Sequence, residues 1–152
     1  MKILLFSGGE VGARVAQRLL NNYKSDIVLA VTDKNDPCHT LLKEQGVDTV
    51  CYETDSKLVD YIEKSRLSFD VGFLIWFGPI MRNPLLSIPQ QGFISMHPAY
   101  LPYNRGAHFN IYPLVEESPY GVSLFFVNEI EHGIDTGDIV ARKSIPYSWE
   151  DT

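Results

Sequence analysis

The sequence predicts one α/β domain of the Rossmann-like, doubly wound class, in which helices cover both faces of a mostly parallel sheet. Three observations support this class. Short apolar runs rich in β-branched residues recur along the chain, and such continuous runs are typical of strands covered on both faces. Segments with helical spacing separate the runs, and glycine-containing turns follow several of them. With 152 residues, 45% of them hydrophobic, the chain is long enough to bury its own core, so we expect one domain spanning 1–152.

In the first part of the chain, strands and helices are expected to alternate. The apolar runs predict strands at Ile3–Phe6, Ile27–Val31, Thr49–Tyr52 and Val71–Phe77. Helices are indicated by apolar residues at helical spacing, which are Val11, Val15 and Leu19, then Leu41 and Leu42, then Leu58, Tyr61 and Ile62. Gly46 can end the second helix, because glycine adopts the left-handed conformation that helix ends require.

The second part of the chain predicts fewer helices. Strands are expected at Gly92–Met96, Val122–Val127 and Ile139–Ile145. Asn110 is expected to cap a helix that has Pro113 in its first turn, where the missing N–H is tolerated. Ser148–Asp151 fits the start of a further helix. Either this four-residue pattern is fortuitous, or the chain is a fragment of a longer polypeptide that continues beyond its last residue.

Composition and charge exclude several classes of protein. The formal net charge of −6 disfavours nucleic acid as the main partner, because a phosphate backbone would bind against the overall field. The longest apolar run, Val71–Met81, is interrupted by Gly78 and Pro79 and is too short to span a bilayer. The first residues do not resemble a signal peptide, and Cys38 and Cys51 form neither a CxxC pair nor a zinc pattern. We therefore expect a cytoplasmic protein without a metal.

The first candidate site is the turn Ser7–Gly12, between the first strand and the first helix. It partly matches the dinucleotide motif G-x-G-x-x-G, with Ser7 at the first glycine position and Asp33 near the end of the second strand. The alternatives are a tight connection between strand and helix, and a turn that holds a phosphate or another polar ligand group at the helix N-terminus. Glu10 would repel a phosphate there, which weakens the dinucleotide interpretation.

A second candidate is His97, which ends a strand immediately before the proline-containing loop of 98–106. Open α/β sheets carry out chemistry at the carboxyl ends of their strands. The alternative is a histidine satisfied by a backbone carbonyl. Arg105, in the same loop, either binds an anion or is solvated.

The third candidate is Asp135, in the acidic loop between the last two strands. It either fixes the turn at Thr136 and Gly137 by accepting backbone hydrogen bonds, or lies beside His97. A carboxylate in hydrogen-bond reach of His97, directly or through one water, would fix its tautomer for general acid–base catalysis.

Together these segments resemble the formyltransferase catalytic domain. The similarity rests on linked motifs along the chain, which are Ser95-x-His97-Pro98 with Leu101-Pro102, Asn104-Arg105-Gly106-Ala107, Gly121-Val122-Ser123-Leu124 and Gly133-Ile134-Asp135-Thr136-Gly137-Asp138-Ile139. The family includes methionyl-tRNA formyltransferase, glycinamide ribonucleotide transformylase and the nucleotide-linked sugar N-formyltransferases. The loop of 103–108 is most similar to the sugar N-formyltransferases.

The resemblance implies a reaction and its central residues. A primary amine attacks the formyl carbon of N10-formyltetrahydrofolate. His97 matches the family histidine, which stabilises the tetrahedral intermediate and moves protons, and Asp135 matches the aspartate that orients it. Ser95 stands where the family has an asparagine that donates a hydrogen bond to the oxyanion. Losing one such donor typically costs on the order of 10² to 10³ in rate. The domain is therefore a slower enzyme, a water-assisted one, or a domain that binds without catalysis.

The resemblance also implies binding residues. The pterin of the formyl donor is expected to contact two opposing loops, at Phe77, Gly78, Pro79, Ile80 and Met81 and at Ile134, Thr136 and Asp138. The amine substrate is expected to contact Ser7, Gly8, Gly9 and Arg105.

A nucleotide-linked amino sugar is the favoured acceptor, because an acidic chain suits a small substrate better than tRNA. A tRNA enzyme of this family would also carry a further C-terminal domain. The alternatives are a folate-binding relative with weak or no catalysis, a methionyl-tRNA formyltransferase-type enzyme, a Rossmann-type oxidoreductase suggested by Gly9 and Gly12, and a purely structural fragment. The oligomeric state is not indicated.

Overall fold

A computed structural model describes residues 1–129 and 132–147. The expected helix start at 148–151 lies outside this part of the chain. Two compact units are present, Met1–Phe93 and Ile94–Thr152.

The first unit alternates parallel strands with helices. Its elements are β1 (Ile3–Ser7), α1 (Gly9–Tyr23), β2 (Ile27–Thr32), α2 (Pro37–Glu44), β3 (Thr49–Cys51), α3 (Asp55–Lys64) and β4 (Val71–Ile75). β1 pairs with β2 on one side and with β4 on the other, and β2 pairs with β3, all in parallel. The strand order is therefore β3-β2-β1-β4, so the carboxyl end of β1 opens beside those of β2 and β4.

The second unit is mainly antiparallel. Its strands are β5 (Phe93–His97, which begins on the last residue of the first unit), β6 (Gly121–Phe126) and β7 (Ile139–Ser144), with the short helix α4 (Tyr112–Glu116) between β5 and β6. β6 pairs with β5 and with β7, both in antiparallel register. Successive strands of this unit therefore run in opposite directions. With three parallel pairings in the first unit, the predicted α/β class with a mostly parallel sheet is confirmed.

Burial of β1 explains why the first unit forms. All five β1 residues are buried, and α1 turns a stripe of small and apolar residues inward, at Gly12, Ala16 and Leu20. These residues are four apart, which places them on one face of the helix. The helix can approach closely because that face carries so little side-chain volume.

Two sequence-based expectations are wrong in detail. The strand expected at Val71–Phe77 ends at Ile75, because Trp76 adopts a left-handed backbone with φ 56°. Asn110 is not a helix cap. The His108 carbonyl already accepts the N–H groups of Ile111 and Tyr112, and α4 starts after Ile111 without a side-chain cap.

Other details agree with the sequence. Pro113 lies in the first turn of α4. Gly46 follows the end of α2 with φ 74°, as expected for a helix-ending glycine. The longest described helix is α1, with 15 residues, and none of the described helices has both the length and the apolar character needed to cross a bilayer.

Gly72 tests how tightly the first unit is packed. A Cβ at Gly72 would overlap the ring of Phe93, a side chain that is 1% exposed and cannot move aside. We expect Gly72→Ala to lower the free energy of unfolding in urea by about 1–3 kcal/mol through overpacking. Gly78→Ala is the matched control, because no atom lies within 4 Å of its added Cβ. Equal stability of the two variants would contradict this packing.

Candidate functional site

His97 is the last residue of β5 and is buried, with 7% of its surface exposed. Its Nε2 lies 2.8 Å from the backbone carbonyl oxygen of Asn104. A carbonyl can only accept a hydrogen bond, so Nε2 carries a proton and donates it. In the neutral ring the lone pair is therefore on Nδ1.

Asp135 faces this second nitrogen. Its Oδ2 lies 3.4 Å from Nδ1 of His97, and the same oxygen accepts the backbone N–H of Gly106 at 2.9 Å. The distance to Nδ1 is longer than that of a strong charge-assisted hydrogen bond, so the pair can tighten when the ring is protonated. Both sequence alternatives for His97, a carbonyl partner and a carboxylate neighbour, thus occur together on opposite ring nitrogens.

The loop that follows His97 is held from β6 and β7. The Ser123 hydroxyl, which is 1% exposed, accepts the N–H of Leu101 at 2.9 Å and donates to the carbonyl of Ala99 at 2.8 Å. Arg142 donates to the carbonyl of Leu101 at 2.8 Å and stacks over the ring of Tyr100 at 4.6 Å. These bonds fix the path of the chain toward Asn104.

Sequence reasoning assigned no role to either of these side chains. Ser123 could have been found as a polar residue at an inward position of an otherwise apolar strand. Arg142 carried no such signal, because its partner is a carbonyl 41 residues away in the chain.

Asn104 is the residue that turns its carbonyl toward His97. Its backbone is left-handed, with φ 55°, a conformation that asparagine tolerates better than most residues. Its side-chain amide donates to the hydroxyl of Ser118 at 2.9 Å. The side chain therefore anchors the residue whose backbone holds Nε2.

Ser95 lies two residues before His97 in β5, so both side chains point to the same face of the strand. The Ser95 residue is half-buried, and its hydroxyl makes no hydrogen bond with the residues that the structure describes. A free hydroxyl on the same face as His97 is available as a hydrogen-bond donor.

The other predicted residues of the second unit differ in accessibility. Ile134 and Arg105 are exposed, and the guanidinium of Arg105 has no partner in the described part of the chain. The Thr136 hydroxyl is shared between the carbonyls of His132 and Gly133, at 2.9 and 3.0 Å. Its side chain is therefore committed to the turn.

Asp138 contributes to the same loop through its backbone. Its carbonyl accepts the N–H of Phe126 at 2.9 Å, while the residue itself is exposed. The carboxylate remains accessible to solvent.

In the first unit, polar groups of the turn after β1 already have partners within the protein. Ser7 is 0% exposed, and its hydroxyl lies 3.5 Å from Sγ of Cys38. The N–H of Gly9 donates to Oδ2 of Asp36 at 2.7 Å. The side chain of Ser7, which was predicted to contact the amine substrate, is inaccessible in this structure. The predicted role of the turn in substrate binding stays a prediction.

The glycines of the turn are explained by packing. A Cβ at Gly8 would lie 2.8 Å from the carbonyl oxygen of Trp76, and one at Gly12 would lie 2.7 Å from Oγ of Ser7. The first N–H of the helix, that of Gly9, is already bound by Asp36. The partial dinucleotide motif therefore reflects close packing, and the oxidoreductase alternative loses its basis.

Tyr52 and Asp55 contact the two ends of the loop of 77–81. The ring of Phe77 packs edge-on against Tyr52, with centroids 5.3 Å apart. At the other end, the N–H of Arg82 donates to Oδ2 of Asp55 at 2.9 Å, and the Tyr52 hydroxyl donates to Oδ1 of Asp55 at 2.7 Å. Burial, followed by this bond to Asp55, raises the pKa of Tyr52 to about 12, so the hydroxyl remains a donor.

Residues within that loop are not equally accessible. Met81 is 5% exposed, whereas Ile80 is 50% exposed and Gly78 and Pro79 are exposed and half-buried respectively. Met81 was predicted to contact the pterin, and the residue is buried in this structure.

Comparisons with known proteins agree on one family. A family model described as "Formyl transferase" matches residues 1–152. Methionyl-tRNA formyltransferase of Ehrlichia ruminantium (strain Gardel) is 28% identical over 165 residues, covering 99% of this chain and 53% of that protein. The chain thus spans about half the length of the curated relatives that it matches.

Solved structures show the same fold. Phosphoribosylglycinamide formyltransferase from Bacillus halodurans superposes with a TM-score of 0.81 at 20% identity, covering 100% of this chain and 83% of that one. The corresponding enzyme from Campylobacter jejuni gives a TM-score of 0.72 at 28% identity, covering 95% and 81%.

The two cysteines should differ in reactivity. Burial raises the pKa of Cys38 to about 11, and the thiol is 0% exposed, whereas Cys51 is exposed. We expect N-ethylmaleimide to modify one thiol in the native protein at pH 8 and two after denaturation, as counted by mass spectrometry. Peptide mapping that finds Cys38 labelled in the native state would contradict its burial.

The tautomer of His97 is a second testable consequence. We expect ¹⁵N NMR of the neutral ring to show the proton on Nε2, because the Asn104 carbonyl accepts it. Ser118→Ala removes the anchor of the Asn104 side chain and should increase the fraction with the proton on Nδ1. A neutral ring protonated on Nδ1 in the unsubstituted protein would refute the arrangement.

Proposed function

The chain belongs to the formyl transferase family, and we propose that it transfers a formyl group from N10-formyltetrahydrofolate to a primary amine. The observation that carries this proposal is the arrangement around His97. The ring donates from Nε2 to a backbone carbonyl and presents Nδ1 to Asp135. This combination gives a buried base of defined tautomer with a carboxylate ready to stabilise its protonated form.

In the proposed reaction, His97 carries a proton from the attacking amine to N10 of the formyl donor. The amine nitrogen forms a bond to the formyl carbon of the donor, and the carbonyl oxygen becomes an oxyanion. Nδ1 of His97 takes a proton from the attacking nitrogen, and Asp135 stabilises the imidazolium. The bond between the formyl carbon and N10 then breaks, and the proton returns to N10. The products are the N-formyl amine and tetrahydrofolate, and the catalyst is unchanged.

Ser95 is the proposed donor to the oxyanion. Its hydroxyl is uncommitted within the described part of the chain and lies on the same strand face as His97. A serine is shorter than an asparagine, so its hydrogen bond is weaker or passes through a water. A slower enzyme is the outcome that this geometry favours.

The loops of 77–81 and 134–138 are the proposed contacts of the formyl donor, N10-formyltetrahydrofolate, on the basis of the family resemblance. Backbone groups are the expected partners of the pterin edge. Burial of Met81 and the commitment of the Thr136 hydroxyl to its own turn both favour recognition by the backbone over recognition by these side chains.

For the acceptor, we propose an amine on a nucleotide-linked sugar. The loop of 103–108, which is most similar to the sugar N-formyltransferases, and the net charge of −6 both support a small acceptor. Arg105 is exposed in that loop and is available for an anionic group. Both described cysteines are free thiols, in keeping with a reaction in the reducing cytoplasm.

A second candidate acceptor is methionyl-tRNA. It is favoured by the names of the curated relatives, of which the one from Ehrlichia ruminantium matches nearly the whole of this chain. In that case nucleic acid would be a partner despite the overall negative charge.

A direct assay separates these acceptors. The full chain is incubated with N10-formyltetrahydrofolate and either amino-sugar nucleotides or methionyl-tRNA, and mass spectrometry detects the gain of one formyl group. We expect formylation of an amino-sugar nucleotide that is lost in His97→Gln and retained in the control His132→Gln. Formylation of methionyl-tRNA alone would select the second candidate, and binding of a folate analogue without any transfer would indicate a non-catalytic relative.

Ser95→Asn tests the oxyanion donor. A longer donor at this position should raise the turnover rate by up to about 10²-fold. Folate affinity should change little, because the bond acts on charge that develops in the transition state.

Two controls accompany this substitution. His97→Ala in the Ser95→Asn background should abolish the gain, and the binding of a folate analogue should show that the fold is intact. If the unsubstituted protein already turns over as fast as Ser95→Asn, the serine, or a water bound to it, supplies the donor. A rate that stays at background in Ser95→Asn, with the fold intact and folate bound, would show that the defect lies elsewhere or that the domain is not a catalyst.

A further inference from the structure

The loop of 77–81 is attached to two side chains outside it, Tyr52 and Asp55. We propose that these two are positioning residues for the formyl donor, because they hold the loop in the shape that presents its backbone groups to the pterin. This inference rests on the proposed function, in which the loop contacts N10-formyltetrahydrofolate. Tyr52 directly follows β3, and Asp55 is the first residue of α3. Both belong to the first unit, as does the loop.

The loop has little support of its own. Within the first unit, residues 77–81 form no backbone hydrogen bond, so their backbone polar groups are available to a ligand. No atom lies within 4 Å of a Cβ added at Gly78, and Ile80 is 50% exposed. The attachments are the ring of Phe77, the buried side chain of Met81 and the N–H of Arg82 just after the loop.

An aromatic cluster fixes the start of the loop. The ring of Phe77 packs edge-on against two rings, with its centroid 5.1 Å from that of Phe6 and 5.3 Å from that of Tyr52. Phe6 is 0% exposed in β1, so one of these contacts joins Phe77 to the core. Tyr52 provides the other, and its own N–H donates to the carbonyl of Thr32 at 2.8 Å. The ring of Tyr52 is therefore attached to the parallel sheet.

A shared carboxylate fixes the end of the loop. Oδ2 of Asp55 accepts the N–H of Arg82 at 2.9 Å, and Oδ1 accepts the hydroxyl of Tyr52 at 2.7 Å. Hydrogen bonds to an ionised acceptor are stronger than those between neutral groups. Burial and the bond to Asp55 raise the pKa of Tyr52 to about 12, so the hydroxyl is a donor at neutral pH. Tyr52 thus contacts the start of the loop through its ring and reaches the end through Asp55.

Stabilisation of α3 does not account for these partners of Asp55. Thr54 is the N-cap residue, and its hydroxyl accepts the N–H of Lys57 at 3.3 Å. An acid in the first turn stabilises a helix through its charge, which needs no particular partner. Asp55 has one partner on each oxygen, and one of them, Arg82, is 27 residues away in the chain. The charge and the two bonds can therefore be separated by substitution.

Three substitutions make this separation. Asp55→Ala removes both hydrogen bonds. Tyr52→Phe removes only the hydroxyl and keeps the ring against Phe77, so it tests the pair with little change in packing. Asp55→Asn removes the charge, but its amide keeps an acceptor for the N–H of Arg82 and a donor for the oxygen of Tyr52.

Tyr61→Phe is the matched control. The Tyr61 hydroxyl also lies near a carboxylate, that of Asp48 at 3.5 Å. Tyr61 belongs to α3 and is 36% exposed, and within the first unit neither a hydrogen bond nor a ring contact joins it to the loop. The control therefore removes the same hydroxyl without altering the attachments of the loop.

The experiment measures the binding of tetrahydrofolate to the full chain by calorimetry. We expect its dissociation constant to rise by about 10-fold in Asp55→Ala and about 3-fold in Tyr52→Phe, and to stay within about 2-fold in Asp55→Asn and Tyr61→Phe. In the formylation assay, the KM for the formyl donor should follow the same order, while kcat and the KM for the amine stay unchanged. A merely structural role would lower the amount of active protein, and hence kcat, without this selective change in the KM for the donor.

Unchanged donor affinity in both Asp55→Ala and Tyr52→Phe would overturn the inference. An equal loss in Tyr61→Phe, or a fall in kcat at an unchanged KM for the donor, would also overturn it. Failure of the proposed function gives a different result. If the unsubstituted chain binds tetrahydrofolate but transfers no formyl group, the enzymatic proposal is refuted and the affinities of the variants still decide the inference. If the unsubstituted chain does not bind tetrahydrofolate, both are refuted.

Discussion

The hydrogen bond from Nε2 of His97 to the carbonyl of Asn104 is the constraint on which the candidate site depends. A buried imidazole must satisfy its donor, and a carbonyl partner allows only one neutral tautomer. That tautomer leaves the basic nitrogen facing Asp135. The same bond that satisfies the burial requirement therefore also sets the direction in which the ring can accept a proton.

Several polar side chains of the second unit hold that carbonyl in place. Ser123 and Arg142 fix the backbone near Leu101, and Ser118 binds the amide of Asn104. Each of these bonds joins segments that are distant in the chain. The result is a loop whose backbone is fixed by side-chain hydrogen bonds and not by a regular hydrogen-bond ladder. Because the carbonyl of Asn104 is held in this way, the rotation of the His97 ring is restricted.

In the turn after β1, a polar side chain of the protein binds a group that a ligand could otherwise use. In many α/β proteins the N–H groups at this position are free to bind a phosphate. Here Asp36 takes the N–H of Gly9, and the glycines serve close approach to Trp76 and Ser7.

The pattern of residues alone predicted the α/β class and most strand positions, and the family resemblance predicted that Asp135 orients His97. Apolar periodicity is local and follows from burial, so it can be recognised without the fold. Three features became evident only in the folded chain: Ser7 is inaccessible, Trp76 ends β4 early, and Asn104 holds the ring of His97. The contact of Ser7 with Cys38, and the bonds from Ser123 that fix the loop before Asn104, join residues far apart in the chain. A pattern along the sequence records which side chains prefer burial, but not which particular donor meets which acceptor once the chain has folded.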